Sequence, residues 1–368
     1  MTVDPVKILS RPIRIRSAIL FVFLLAYVTL TFFIFFNAVV PSFAQGTTSD
    51  EFSVDSTIYV QFADSLREHR YDPWVITSMA HFPNTLWMPV FLSLLLNSAL
   101  LVMLINFTVL IFCLWLLKKS LDISLTVLLP LLLMNPTTTT SLLCVNKEIF
   151  DLLALSIFLC ARAWGNRWLV FAALALALLN RWELCLVLIL FMVVESRFNP
   201  WKERRLVTIL LLVLALNFAM PFWAGDVLAG RFEEAESGNT VAVLDRLQMH
   251  YLYIVVVTPK IAENLFGQLL NREVWRVGSS WLLINFFNNL ASFILLVISS
   301  LKKRLTIRND FIYFALIGAV IMAQSLAVQP RYFYFAYALV CLQVSLPRAV
   351  KNASRVPICI FQPEAPHA

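Results

Sequence analysis

Four polar stretches interrupt an otherwise greasy chain: "NKE" at 146–148, "NRWE" at 180–183, "QPRY" at 329–332, and a carboxylate-rich segment holding Asp50, Glu51 and Asp55. Their residue types suit one chemistry. A carboxylate near a membrane surface takes the proton from a hydroxyl as a general base, which makes Asp50, Glu51 and Asp55 candidate catalytic groups. The planar, permanently charged guanidinium of Arg181 is suited to holding a phosphate. Lys147 and Glu148, with Asn146, are placed to contact a phosphate or hydroxyl groups. Arg331, with Tyr332, follows Pro330, where an unwound backbone is natural, and could neutralise a pyrophosphate leaving group.

Each cluster also has an ordinary reading. Arg181 and Glu183 could form a structural ion pair inside a helix bundle. Glu148 near a helix start is favourable to the helix dipole, and Lys147 could snorkel to an interface. Arg331, Tyr332 and Tyr334 would make an aromatic–basic belt. Residues 55–70 fit a short amphipathic helix, with Ile58, Phe62, Leu66 and Tyr59 at helical spacing and Asp55 as its cap. Glu233, Glu234 and Glu236 read as a solvated charge run, and His250, four residues after Arg246, is a weaker candidate. One such cluster is bland. Four on one side of a membrane are harder to dismiss, because intramembrane ionisable groups line substrate paths or bind headgroups.

The elements that must position these residues follow from composition. The chain has 368 residues, 60% of them hydrophobic and 14% charged, against about 25% charged in a soluble domain. The fold class is therefore all-α, a polytopic transmembrane helical bundle. The net charge of +7 comes from basic residues at the ends of apolar segments. That is an orientation signal, not a nucleic-acid footprint. The six cysteines show no CxxC or Cys/His pattern, so disulfide and metal readings are weak and a divalent cation has no ligand motif.

Threading by the positive-inside rule starts with Lys7, Arg11, Arg14 and Arg16 in the cytoplasm. The apolar run 17–40 is too long for a signal-peptide core and reads as an uncleaved first helix. Further segments are expected at about 87–117, 121–134, 149–163, 206–224, 281–301, 311–328 and 332–346. The stretch "NPTTTTSLLCVNKE" is expected outside, and the main outer loops at about 41–86 and 225–280. If 168–194 were one span, Arg197, Lys202, Arg204 and Arg205 would fall on the wrong side. Two short segments, about 168–179 and 184–195, restore the rule. Half-length segments are tolerated when packed in protein. The result is about ten membrane segments including this short or re-entrant pair, one domain over 1–346, a cytoplasmic tail over 347–368, and both termini inside.

An acidic first outer loop with "VDSTIY", "NKE" after the third helix, the Arg-bearing hinge "LNRWE" and "QPRYFYFAYAL" before the last helix resemble bacterial polytopic glycan-assembly proteins. That group includes GT-C-type glycosyltransferases and O-antigen or capsule repeat-unit polymerases, and the resemblance covers most of the membrane core by layout. It implies a GT-C-like fold in the inner membrane. It further implies sugar transfer or polymerisation at the periplasmic face, from a polyprenyl-phosphate- or pyrophosphate-linked donor to a glycan acceptor, alongside other glycan-assembly proteins. A first-loop carboxylate, Asp50, Glu51 or Asp55, would be the base, and Arg181 and Arg331 would bind the pyrophosphate. The alternative is a transporter or flippase for a lipid-linked glycan, which needs similar cations and uses discontinuous helices.

Overall fold

In a computed structural model the chain is an all-α bundle. The structure describes residues 15–40, 98–229, 240–269, 280–302, 304–324 and 330–346, together with 59, 63–64, 67–68, 91 and 95. Among these, three helices are long and apolar enough to cross a membrane, or four if one bent pair counts as a span. This is a fold that carries multi-pass membrane helices.

Helix α1 (Ile15–Ile34) continues through a π-turn at Phe35–Val39. Most of its surface is exposed phenylalanine, leucine and valine, as expected of a helix facing lipid. Helix α2 (Ala99–Leu121) starts at Ser98, whose Oγ accepts from the Leu101 amide at 3.4 Å. It ends at Lys118 and Lys119, cations favoured at a helix C-terminus.

Helices α3 (Leu125–Leu133) and α4 (Pro136–Leu143) meet at a bend of 80°. Asn135 makes the break. Its side chain accepts from the Thr137 amide at 2.9 Å, while Pro136 takes the first helical position, where its missing N–H costs nothing. The threonine run, within the stretch expected outside, forms a buried helix. Its hydroxyls find partners within the protein, so the run needs no water. Thr138 donates to the Leu132 carbonyl at 2.6 Å and sits 2.9 Å from the Tyr334 hydroxyl, Thr139 meets the Tyr27 hydroxyl at 2.8 Å, and Thr140 donates to the Thr137 carbonyl at 3.0 Å.

Helix α5 (Glu148–Trp164) is buried along most of its length, packed against α2 and α6 (Arg167–Asn180). Gly165 ends it at φ 66°, a left-handed turn that favours glycine, and the Asn166 amide reaches back to the Ala161 carbonyl at 2.9 Å. The stretch 168–195 is two helices, as expected. Helix α6 stops at Asn180, Arg181 is extended at φ −157° and ψ 102°, and α7 (Trp182–Val194) follows.

Helix α8 (Arg205–Ala229) leads to α9 (Thr240–Leu247), a kink at Gln248–Leu252 where His250 and Tyr251 leave helical geometry, and α10 (Tyr253–Phe266). These last elements lie within the stretch read as the second outer loop. Helix α10 nevertheless buries Tyr253, Val256, Val257, Lys260 and Asn264. Helix α11 (Ser280–Leu301), α12 (Asp310–Met322), a 3-10 turn at Pro330–Phe333 and α13 (Tyr334–Ser345) complete the described chain.

The core lies where α5, α7, α12 and α13 meet. The rings of Phe191 and Phe314 stack at 4.1 Å, with Phe158 5.9 Å from Phe314. Gly318 lets α13 close on α12: a Cβ there would lie 1.8 Å from Cζ of Phe335. At the end of α7 remote from Arg181, Arg205 joins three elements. It donates to the carbonyls of Ile307 at 3.2 Å and Arg308 at 2.7 Å, pairs with Asp310, and lies 3.7 Å from Glu195.

Candidate functional site

Glu148 is the first residue of α5 and Asp151 follows three positions later, on the same helix face. Both are buried, at 0% and 4% exposure. The extended residue between α6 and α7 delivers the cation they need. Nη2 of Arg181 lies 3.0 Å from Oε1 of Glu148, and its Nε lies 3.2 Å from Oδ2 of Asp151. Asn180, the last residue of α6, completes the junction by donating to Oδ1 of Asp151 at 2.7 Å and to the Lys147 carbonyl at 2.9 Å. Ser141 of α4 donates to Oε2 of Glu148 at 3.4 Å. An apolar run tolerates Arg181 because two acids wait for it on a neighbouring helix.

Of the two readings of Arg181, one paired it with Glu183 in a structural ion pair and the other gave it a phosphate. The ion pairs of Arg181 go to Glu148 and Asp151 instead. Residues two apart do not face one another on a helix, and Arg181 stands just outside α7 with an extended backbone. Glu183 sits in the first turn of α7, a favourable place for an acid. Among the described residues its Oε2 is buried with no hydrogen-bond partner.

Two aromatic rings extend the junction. The Tyr332 ring lies 5.1 Å from Cζ of Arg181 and 5.6 Å from Cζ of Arg331, so one ring stands beside two guanidinium groups. The Tyr59 ring lies 5.4 Å from Nζ of Lys147. All three distances fall in the cation–π range of about 6 Å. Tyr59 and Ala63, four residues apart, are buried at 2% and 0% exposure, whereas Asp64 and Arg67 pair with each other at the surface. Tyr59 and Ala63 thus share a buried face, with the Tyr59 ring against Lys147.

The structure thus brings together Lys147, Glu148, Arg181, Arg331 and Tyr332, and places Tyr59 of the first loop among them. Asp50, Glu51 and Asp55 lie outside the described residues, as do Ile58, Phe62 and Leu66. Arg246 and His250 are exposed. Sequence reasoning placed Asn180 in the hinge and missed Asp151 and Ser141 as parts of the junction. The signal for Asp151 was its i, i+3 spacing from Glu148 on a helix that had been recognised.

Formally, two acids against one guanidinium leave the trio one negative charge, which the neighbouring Lys147 balances. Arg181 has Nε and one Nη committed to carboxylates and a face against Tyr332. Lys147 and Arg331 carry the charges set against the two tyrosine rings. No group of three or more His, Cys, Asp or Glu residues with metal-holding geometry occurs among the described residues. Comparison with protein-family models, with curated proteins and with solved structures finds no match for this chain.

Proposed function

We propose that this chain is a membrane glycosyltransferase or polysaccharide repeat-unit polymerase, using a polyprenyl-phosphate- or pyrophosphate-linked sugar at the periplasmic face. The observation that carries this reading is the convergence of three distant polar motifs on one buried junction, with the Tyr59 ring set against Lys147. About ten membrane segments would place the junction at the outer boundary, where the reactive carbon of a lipid-borne sugar lies.

The chemistry divides among the groups. A new C–O bond forms between the acceptor oxygen and the anomeric carbon, as the bond from that carbon to the lipid phosphate breaks. The acceptor proton goes to a first-loop carboxylate, and Asp55 stands four positions before Tyr59 in the sequence. Negative charge grows on the departing phosphate, where Arg331 and Lys147 stabilise it. Arg181, held by Glu148 and Asp151, fixes the hinge and the Tyr332 ring beside Arg331. Glu183 adds an acceptor for a sugar hydroxyl.

A strain lacking the protein, complemented with variants that insert normally, tests this. Asp55→Asn and Arg331→Gln are expected to accumulate a lipid-linked precursor or a single unpolymerised unit. Full-length glycan from both would sink the reading. The broken pairs α3–α4 and α6–α7 favour a second reading, a carrier of lipid-linked glycan, because discontinuous helices build transporter sites. Movement of a labelled lipid-linked glycan across proteoliposomes, with no new glycosidic bond, would select it.

A further inference from the structure

The end of α2 carries a cluster that the hinge does not use. Nζ of Lys119 lies 5.0 Å from the centre of the Trp115 ring, one turn back on α2, and 5.7 Å from the Trp164 ring at the end of α5. Lys119 is exposed, and so are the two tryptophans, at 51% and 44%. Two indoles from different helices thus bracket one ammonium at the protein surface. Ring faces hold the ammonium by its charge, while its three N–H donors stay open to an acceptor. The neighbouring Lys118 pairs with Asp122 at 2.9 Å.

The surroundings say what kind of acceptor fits. Lys119 stands in the last turn of α2, a 23-residue helix long and apolar enough to span a bilayer, so the cluster marks one end of a span. From that end toward the middle of the helix, Trp115 is followed by Phe112, exposed and stacked on it at 5.7 Å. Helix α6 begins just after Trp164 and repeats the order. Arg167 and Trp168 stand in its first turn, and the exposed ring of Phe171, 6.2 Å from Trp168, lies one turn deeper. A cation, then indoles at the interface, then bare phenylalanine matches the polarity of a phospholipid from phosphate through glycerol to acyl chain. The charge is one-sided as well: residues 99–121 and 152–182 contain no aspartate or glutamate.

We propose that the Trp115–Lys119–Trp164 cluster binds an anionic phospholipid of the surrounding bilayer, with the ammonium on the lipid phosphate and the indoles against the glycerol and upper acyl chains. A zwitterionic lipid brings the same chains but carries its own ammonium, which Lys119 repels, so the site discriminates by headgroup charge. A plain interfacial belt would anchor the helix ends in any lipid without choosing a headgroup. The site serves a carrier as well as a transferase and does not depend on the reaction assigned above.

Full-length protein in a nonionic detergent is titrated with dioleoyl phosphatidylglycerol and, separately, with dioleoyl phosphatidylcholine, and the first bound lipid is quantified by native mass spectrometry. Phosphatidylglycerol is expected to bind more tightly. Lys119→Gln should weaken it about fivefold, the factor that one basic residue contributes at an anionic surface, and leave phosphatidylcholine unchanged. Lys119→Arg should keep the preference, and Trp164→Leu, which removes one bracket, should reduce it. Lys302→Gln is the control. It removes an exposed lysine just past the end of α11, a helix that packs on α4, α10 and α13, and should change nothing. Equal affinity of the native chain for the two lipids overturns the proposal, as does an undiminished preference in Lys119→Gln. An equal loss in Lys302→Gln also overturns it, because overall charge would then be the cause. If Lys119→Gln does not fold, an undiminished preference in Trp164→Leu decides against the site.

Discussion

At the scale of single residues, the junction of Arg181 with Glu148 and Asp151 carries the largest consequence. Removing one member of a buried ion pair costs about 3–5 kcal/mol, because the partner is left charged in a poor solvent. Arg181→Gln should therefore lower the thermal unfolding temperature sharply, followed by tryptophan fluorescence in detergent. Adding Asp151→Asn to Arg181→Gln should recover part of that loss, since one fewer carboxylate stays uncompensated. A double variant less stable than the single one would show that Asp151 is not held by Arg181. The polar members of this junction were legible as oddities: charges inside apolar runs. Their pairing was less so, because partners 29 to 33 positions apart are joined by packing, and only the three-residue step from Glu148 to Asp151 was visible locally.

Among the helices, length and apolar pattern were enough to find most elements, and Ser98, Asn135, Asn166 and Gly165 end or begin them for reasons a sequence displays. Helix α4 escaped because a threonine run reads as polar loop, and only the folded protein supplies the hydroxyl partners that let it be buried. The α12–α13 contact was equally hidden: nothing local announces that Gly318 faces the ring of Phe335. Gly318→Ala forces that ring to move and should destabilise the protein by about 1–3 kcal/mol, the usual cost of overpacking. Phe335→Leu in the same chain should return most of the loss. Failure of that rescue, in a comparison of unfolding temperatures, would place the strain elsewhere.

At the scale of the whole molecule, the break at Arg181 decides, in the ten-segment arrangement proposed above, which side the later turns face. Cysteines placed singly at Asn166 and Asn199, in a chain carrying Cys359→Ser, should both react with an impermeant thiol reagent only from the cytoplasmic side. The five described native cysteines are buried, which keeps the background low. Opposite accessibility would mean that α6 and α7 cross as one span, and the ten-segment arrangement would fail. Biogenesis is constrained by the same break. Helices α6 and α7 have 14 and 13 residues, short of the roughly twenty needed to enter a bilayer alone. The guanidinium between them is tolerated only beside acids synthesised much earlier in the chain. In the ten-segment arrangement proposed above, α5 would still lie at the insertion site when Arg181 leaves the ribosome, and the three helices would enter the membrane as one unit.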